Sequence, residues 1–129
     1  MTLFSKIIVG EIPCYKIAEN EKFLAFLDIF PAMPGHTLVI PKVETDRLFD
    51  LPETYLKDIL VFAKPVARAI QNAFNTDRVN IITVGFEVPH AHIHLLPMNN
   101  MHDMNLFPGK KKASDEALKT VQEKIVSLL

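Results

Sequence analysis

The chain has 129 residues, of which 49% are hydrophobic and 22% charged, and its formal net charge is −1. This composition is typical of a globular protein, and we predict a single domain spanning residues 1–129. A net charge so close to zero argues against a dedicated nucleic-acid-binding or membrane-surface protein, because both classes need a basic surplus. The single cysteine, Cys14, excludes an intrachain disulfide and a cysteine-rich zinc site.

The sequence also lacks membrane-targeting features. No stretch approaches the roughly 20 apolar residues that a membrane span requires. The apolar run at the N-terminus has no basic region before it and is interrupted by Ser5 and Lys6, so it is not typical of a signal peptide. We therefore expect a cytoplasmic protein that has no membrane partner.

Turn-forming residues divide the chain into short segments whose periodicity indicates their structure. Leu3, Ile7 and Ile8 suit a short helix that ends near Gly10. Apolar and β-branched runs bounded by Pro, Gly or Asn predict strands. In chain order, the predicted strands cover residues 14–18, 23–29, 36–40, 79–84 and the run that begins at His90.

A helical period replaces the strand pattern over about residues 50–74, where apolar residues recur every three or four positions. Pro65 falls inside this pattern, and we predict one bent helix rather than two short ones. Residues 98–112 are predicted to be irregular, and Ser114 is predicted to cap a final helix. The pattern as a whole predicts an α+β fold: a five-stranded antiparallel sheet with one long central helix, a short N-terminal helix and a C-terminal helix.

Three histidines alternate with apolar residues in the last predicted strand. If this run is extended, His90, His92 and His94 point to one face, while Ile93 and Leu95 point into a core. Packing alone rarely requires three imidazoles in a row, because each buried imidazole needs hydrogen-bond partners. Histidine changes charge near neutral pH, so the row can supply a nucleophile, a proton donor and a phosphate contact.

The middle histidine is the natural nucleophile of the three. A neutral imidazole nitrogen of His92 can attack phosphorus and form a covalent phosphoryl-histidine, which divides one difficult displacement into two easier steps. His90 and His94 can hold its tautomer and stabilise charge on the phosphate.

A metal site is the main alternative that these residues leave open. Two histidines separated by one residue on a strand can chelate zinc, whereas three on one strand reach a single ion only with strain. The remaining ligands would come from Glu87, Glu44 or His102. A purely structural row of histidines is the third interpretation.

Four sequence blocks resemble the histidine triad superfamily, in particular its nucleotide-binding (Hint-like) branch. His90-x-His92-x-His94-x-Leu96 resembles the signature that gives the superfamily its name. Residues 3–13 resemble the opening of the family, and residues 23–31 and 34–42 resemble its second and third strands. The blocks occur in the order that the family has, and together they span roughly residues 3–98.

The resemblance implies a homodimer of small α+β subunits that binds purine nucleotides and hydrolyses phosphoramidates or related nucleotidyl bonds. It implies that His92 is the nucleophile, that His94 contacts phosphate and that His90 supports them by hydrogen bonding. Asp28 matches the acidic residue that binds the ribose hydroxyls. The apolar slot around the base is matched by Phe4, Ile7, Phe26 and Ile29.

Several positions depart from the family pattern. The loop Gly85–Pro89 is shorter than usual and supplies a carboxylate, Glu87, which can point away, pair with a cation or act on the leaving group. Thr83 stands where the branch has an asparagine that contacts phosphate, and its hydroxyl can substitute. Glu44 replaces a histidine, and a carboxylate hydrogen-bonded to His90 would keep that ring oriented.

Three other polar features are assigned structural or solvent-facing roles. His36 follows Pro34-Gly35, which favours a role in the turn. Lys110–Lys112 is interpreted as a solvated basic run, and His102 as an exposed residue.

We therefore predict a purine nucleotide phosphoramidase or nucleotidyl hydrolase that acts through a nucleotidyl-histidine. It is predicted to use no cofactor or metal, to bind an AMP-like purine nucleotide and no nucleic acid, and to form a homodimer. The alternatives are a non-catalytic nucleotide-binding or sensing module and a metal-dependent hydrolase.

Overall fold

In the computed structural model, which describes residues 1–104 and 110–129, five strands form one antiparallel sheet accompanied by three α-helices. The sheet order is β1-β2-β3-β5-β4, and each neighbouring pair is antiparallel. The predicted α+β class, with its long, N-terminal and C-terminal helices, is confirmed. The elements are α1 (Leu3–Ile8), β1 (Lys16–Glu19), β2 (Phe23–Leu27), β3 (Thr37–Pro41), α2 (Glu53–Phe74), β4 (Arg78–Ile82), β5 (Ile93–Met98) and α3 (Asp115–Val126).

The helices begin and end at residues suited to those positions. Thr2 and Ser114 cap α1 and α3, and each side-chain oxygen accepts the backbone N–H three residues on, at 3.0 and 3.1 Å. Helix α2 continues past Pro65 as one helix of 22 residues, which confirms the prediction of one helix rather than two. It ends at Asn75, whose φ of 50° lies in the left-handed region that commonly terminates helices.

Helices α2 and α3 pack on one face of the sheet and form the main core. Ile93 and Leu95 lie in this core, as the alternating pattern predicted. Burying each large aliphatic side chain contributes about 1.5–3 kcal/mol, so this core stabilises the strands that support the opposite face of the sheet. Other members of the core are Phe23, Ala25, Leu27, Val39, Ile59, Val66, Ile70, Leu118 and Ile125.

Helix α1 covers part of the opposite face. Phe4 packs there against Leu24, Phe26, Leu38 and Ile40. The ring centroids of Phe4 and Phe26 are 5.6 Å apart in an edge-to-face arrangement, which is a favourable geometry for two aromatic rings. Because α1 is only six residues long, it leaves the neighbouring part of this face open.

The histidine run is only partly a strand, which corrects the prediction. Strand β5 begins at Ile93, so His90 and His92 precede it. The N–H of Ala91 donates to the carbonyl oxygen of Thr45 at 2.6 Å, and the ladder with β3 ends at Ile93. The first two histidines therefore leave the sheet, and loop contacts rather than strand pairing fix their positions.

The connection between β2 and β3 returns the chain toward the last histidine. Gly35 has a φ of 93°, and a Cβ at this position would lie 2.7 Å from the Phe74 ring. The N–H of Asp28 donates to the carbonyl oxygen of His36 at 3.1 Å and closes the connection. Because β3 pairs with β5, this closure brings Asp28 and His36 beside His94.

The remaining segments are short turns and loops. Leu48–Asp50 and Met101–Met104 form single 3₁₀ turns. Of residues 98–112, which were predicted to be irregular, residue 98 ends β5, and 105–109 lie outside the described residues. Within the described ranges, no helix combines the length and the apolar character needed to cross a membrane.

Candidate active site

A cavity of about 620 Å³ lies beside α1, on the sheet face that this helix only partly covers. His92 and His94 line it, and the charged residues along its described wall are Asp28, Glu87 and Lys110. The rest of the wall is mainly apolar and comes mostly from α1, β2, residues 12–14 and the segment around residues 82–88. A mainly apolar cavity of this size with a few convergent polar groups is typical of a small-molecule site.

His92 is held in one tautomer by the backbone. Its Nδ1 lies 2.6 Å from the carbonyl oxygen of His90, and because a carbonyl can only accept, Nδ1 carries the hydrogen. The neutral ring therefore keeps a lone pair on Nε2. Burial lowers the pKa of His92 below its usual value, which favours the neutral ring at pH 7. This is the protonation state that a nitrogen nucleophile requires.

His94 is also held in one tautomer, through two successive hydrogen bonds that start at a backbone amide. The N–H of Ala32 donates to Nδ1 of His36 at 3.0 Å, so the hydrogen of the neutral His36 ring is on Nε2. That nitrogen lies 2.8 Å from Nδ1 of His94 and donates to it. The neutral His94 ring then carries its hydrogen on Nε2, where it can be donated to a ligand.

Burial keeps both rings of this pair neutral. It lowers the pKa of His36 and of His94 to about 4 each, and the positive charge of Lys110 contributes in the same direction. Asp28 lies 3.6 Å from His36 through its Oδ2 atom, and its charge partly opposes the lowering at His94. At pH 7 the contact between Asp28 and His36 therefore joins a carboxylate to a neutral ring.

His90 is fully buried and bonded at both ring nitrogens. Its Nε2 donates to the carbonyl oxygen of Pro41 at 2.8 Å, and its Nδ1 lies 2.8 Å from the Thr2 hydroxyl. The Phe4 ring packs edge-on against both His90 and His92, at centroid distances of 5.8 and 5.0 Å. His90 thus contacts the structure around His92, and it does not line the cavity.

Asp28, His36 and His94 are close enough together to be considered as a metal site, since one ligand atom of each lies within 4.8 Å of the other two. The hydrogen bonds do not suit a metal, however. The Ala32 N–H occupies Nδ1 of His36, so Nε2 of the neutral ring carries a hydrogen and has no lone pair to offer. A histidine ligand normally donates from its other nitrogen to an acceptor, which is the reverse of this arrangement.

The residues predicted for the nucleotide pocket come together around the cavity. Phe4, Ile7, Phe26 and Ile29 all line it, as does Asp28. Asp28 also makes the local turn contact that such a position often makes, because its Oδ1 accepts the backbone N–H two residues on at 2.8 Å. The structure brings these side chains together with His92 and His94, and their roles toward a nucleotide stay predictions.

Two predicted polar contacts take a different form. The Thr83 hydroxyl donates to the carbonyl oxygen of His92 at 2.8 Å, and Thr83 is absent from the described cavity wall. Its contact with phosphate stays a prediction, while its visible contact holds the backbone of His92. Glu44 does not bond directly to His90; it accepts hydrogen bonds from the Thr2 N–H and the Ser5 hydroxyl.

Sequence reasoning missed the contribution of two residues. His36 was assigned to the turn, yet its ring bonds to His94, which is 58 positions away. Pairing of the predicted third strand with the histidine strand would have indicated this contact, because His36 directly precedes the third strand. Lys110 lines the cavity, although it was interpreted as part of a solvated run.

Comparison with known proteins gives consistent results. The family model described as HIT domain matches residues 9–101. Adenosine 5′-monophosphoramidase of Saccharomyces cerevisiae is 41% identical over 96 residues, which are 74% of this chain and 61% of that protein, so the match spans less than two thirds of the yeast protein. The corresponding enzyme of Schizosaccharomyces pombe is 36% identical over 127 residues, or 97% of this chain and 96% of that protein.

A solved structure with the same fold covers nearly the whole chain. It is that of a Hit-like protein involved in cell-cycle regulation from Bartonella henselae, and its TM-score is 0.88 at 29% sequence identity. The superposition covers 99% of this chain and 96% of the Bartonella protein.

Proposed function

This chain belongs to the HIT domain family, and we propose that it hydrolyses purine nucleoside phosphoramidates or related nucleotidyl bonds through a covalent nucleotidyl-histidine. Two similar fungal proteins are adenosine 5′-monophosphoramidases. The observation that carries the proposal is the tautomer of His92, whose Nδ1–H is bonded to a backbone carbonyl, so that Nε2 keeps its lone pair beside the cavity.

The reaction consists of two displacements at the α-phosphorus. In the first, the Nε2 lone pair of His92 forms a bond to phosphorus and the bond to the leaving amine breaks, with a proton from solvent completing the amine. In the second, water attacks phosphorus and releases a proton to solvent, the bond to Nε2 breaks, and the nucleoside monophosphate is released. Throughout, the hydrogen bond from Nδ1 to the His90 carbonyl holds the ring and stabilises the positive charge that it acquires.

The other two histidines have distinct roles in this proposal. His94 donates its Nε2–H to a phosphoryl oxygen, because His36 holds the other nitrogen of its ring. A donor that is already oriented stabilises developing charge without reorganising during the reaction. His90 supports His92 through its carbonyl oxygen and through the shared contact with Phe4.

The nucleoside occupies the apolar part of the cavity. Phe4, Ile7, Phe26 and Ile29 provide surfaces against which a purine can pack, and the Asp28 carboxylate accepts hydrogen bonds from the ribose hydroxyls. We propose that the protein works as a homodimer in the cytoplasm. Strand β4 forms one edge of the described sheet, and Ile81 on it is half exposed, which suits pairing with a second copy.

The proposal is tested by following AMP release from adenosine 5′-phosphoramidate in the presence of a chelator. We expect turnover by the protein as purified and none by His92→Asn, which retains a polar side chain but has no nucleophilic nitrogen. The variant should still bind AMP in isothermal titration calorimetry. AMP binding without turnover by the unmodified protein would instead indicate a nucleotide sensor, and turnover that the chelator abolishes would indicate a metal-dependent hydrolase.

A further inference from the structure

A cluster of polar side chains joins the beginning of α1 to the first histidine of the triad. We call Thr2, Ser5, Glu44 and His90 the amino-terminal cluster. The Thr2 hydroxyl lies 2.8 Å from Nδ1 of His90 and 3.1 Å from the Ser5 hydroxyl. One carboxylate oxygen of Glu44 accepts from both the Ser5 hydroxyl, at 2.7 Å, and the Thr2 N–H, at 2.8 Å. None of the four residues lines the cavity.

The hydrogens of this cluster have one consistent arrangement when the His90 ring is neutral. An ionised carboxylate can only accept, so the Ser5 hydroxyl donates to Glu44. These contacts lower the pKa of Glu44, which keeps it ionised at neutral pH. In the neutral His90 ring, Nε2 donates to a backbone carbonyl, so Nδ1 has a lone pair and accepts. The single hydrogen of the Thr2 hydroxyl is therefore donated to His90, which leaves none for its longer contact of 3.1 Å with the Ser5 hydroxyl.

The cluster fixes three parts of the site at once. It attaches the first turn of α1, which carries Phe4 into contact with both His90 and His92. It locks the ring of His90 between Thr2 and the Pro41 carbonyl. The carbonyl of the same His90 accepts the Nδ1–H of His92. A change in the cluster is thus transmitted to His92 by two routes, through the Phe4 ring and through the His90 backbone.

We propose that Thr2, Ser5 and Glu44 are positioning residues for His92, which act through His90 and Phe4 and contact neither the substrate nor the reacting atoms. Glu44 sets the direction of the hydrogen bonds, because its ionised carboxylate can only accept and the Ser5 hydroxyl must donate to it. The expected effect on kcat rests on the proposed function, whereas the expected effect on the positions of the His90 and His92 rings does not. The experiment therefore has one part for each.

Three variants separate positioning from helix capping. Thr2→Val removes the hydroxyl at nearly constant shape, and Thr2→Ser restores it. Thr2 is also the N-cap of α1, so a loss of stability in Thr2→Val does not by itself indicate a positioning role. Ser114→Ala is the matched control, because Ser114 makes the same capping contact at α3 and lies outside the cavity wall. Thermal denaturation should show comparable destabilisation by Thr2→Val and Ser114→Ala.

The kinetic part compares kcat and KM for adenosine 5′-phosphoramidate. We expect Thr2→Val and Glu44→Ala to lower kcat by roughly 10-fold or more with little change in KM, because misplacing a reacting group by a fraction of an ångström slows the chemical step. Thr2→Ser should recover most of the loss, and Ser114→Ala should keep the kcat of the unmodified protein. Equal effects of Thr2→Val and Ser114→Ala on kcat would overturn the proposal.

The structural part uses ¹⁵N NMR of the imidazole rings, in which protonated and bare nitrogens resonate far apart. We expect His90 to have a bare Nδ1 and His92 a bare Nε2, and Thr2→Val to alter the signals of both rings while Ser114→Ala alters neither. If the unmodified protein shows no turnover, the proposed function fails, and these signals alone decide the positioning role. Unchanged His92 signals in Thr2→Val would overturn it.

Discussion

Nε2 of His36 donates a hydrogen bond to Nδ1 of His94 over 2.8 Å, and the other nitrogen of His36 accepts the Ala32 N–H. The backbone thereby determines which nitrogen of His94 bears the hydrogen. His36 is 2% exposed, so water does not compete readily for these bonds. A residue at a turn between two strands thus sets the donor that, in the proposed mechanism, faces the phosphate.

Replacing His36 should impair the chemical step. In His36→Leu, His94 loses the partner that fixes its tautomer but keeps its ring, so we expect kcat to fall by about 10- to 100-fold, less than the roughly 10²- to 10³-fold cost of removing an oriented donor altogether. His36→Gln keeps an N–H donor and an acceptor and should lose less. Steady-state kinetics of both variants test this expectation, and equal losses would show that the ring is needed for packing alone.

The pH dependence of kcat/KM should reflect the lowered pKa of His92. The free protein attacks its substrate only when the His92 ring is neutral, so activity falls as pH decreases through this pKa. Because burial lowers the pKa of His92 below the usual 6.5, the midpoint of the decline should lie below pH 6.5. Initial rates at constant ionic strength provide the test. A decline centred above pH 6.5 would be inconsistent with a buried nucleophile.

Glu87 should influence which leaving group is preferred. Its carboxylate lines the cavity, and its charge acts on His92 by raising the pKa against the larger effect of burial. A negative charge here stabilises the positive charge on the leaving nitrogen as it is protonated, and it disfavours an anionic leaving group. Glu87→Gln should therefore lower kcat/KM for phosphoramidates and raise it for nucleotidyl anhydrides, by about threefold to tenfold each, as expected for a screened interaction of about 1 kcal/mol.

The control for this prediction is Glu21→Gln. Glu21 is exposed in the turn between β1 and β2 and does not line the cavity. The ratio of the two substrates' kcat/KM values should be the same in this variant as in the unmodified protein. A shift of equal size in both variants would mean that overall net charge, rather than the position of Glu87, controls the preference.

Gly35 should be sensitive to any side chain. Its φ of 93° is unfavourable for other residues, and a Cβ would lie 2.7 Å from the Phe74 ring in α2. Gly35→Ala combines backbone strain with overpacking, so we expect a loss of about 2–4 kcal/mol in the free energy of unfolding. Urea denaturation measures this loss. Gly10→Ala shares the positive φ, but among the described residues no atom lies within 4 Å of the added Cβ, so it should cost less.

Much of the fold was predictable because local residues mark the boundaries of its elements. Ser114 caps α3 as predicted, and the three- and four-residue spacing identified α2 despite Pro65. The pattern failed at His90 and His92, where alternation continued but the strand did not. The contacts that end the strand there, including the bond from Ala91 to Thr45, join distant parts of the chain and leave no periodic trace.

The site shows the same limit. Residue types and spacing identified His92 and His94, which line the cavity together. The bonds that orient their rings come from residues far along the chain: His36 for His94, and Thr2 for the neighbouring His90. A sequence reveals which side chains can perform the chemistry, whereas the tautomer of each ring depends on contacts that only the folded chain forms.

The most direct test of the central claim is the stereochemical course of hydrolysis at phosphorus. A substrate made chiral at the α-phosphorus with sulfur is hydrolysed in isotopically labelled water, and the configuration of the product is determined. Two in-line displacements, the first by Nε2 of His92 and the second by water, predict overall retention. Inversion would show that water attacks the substrate directly and would contradict a covalent nucleotidyl-histidine.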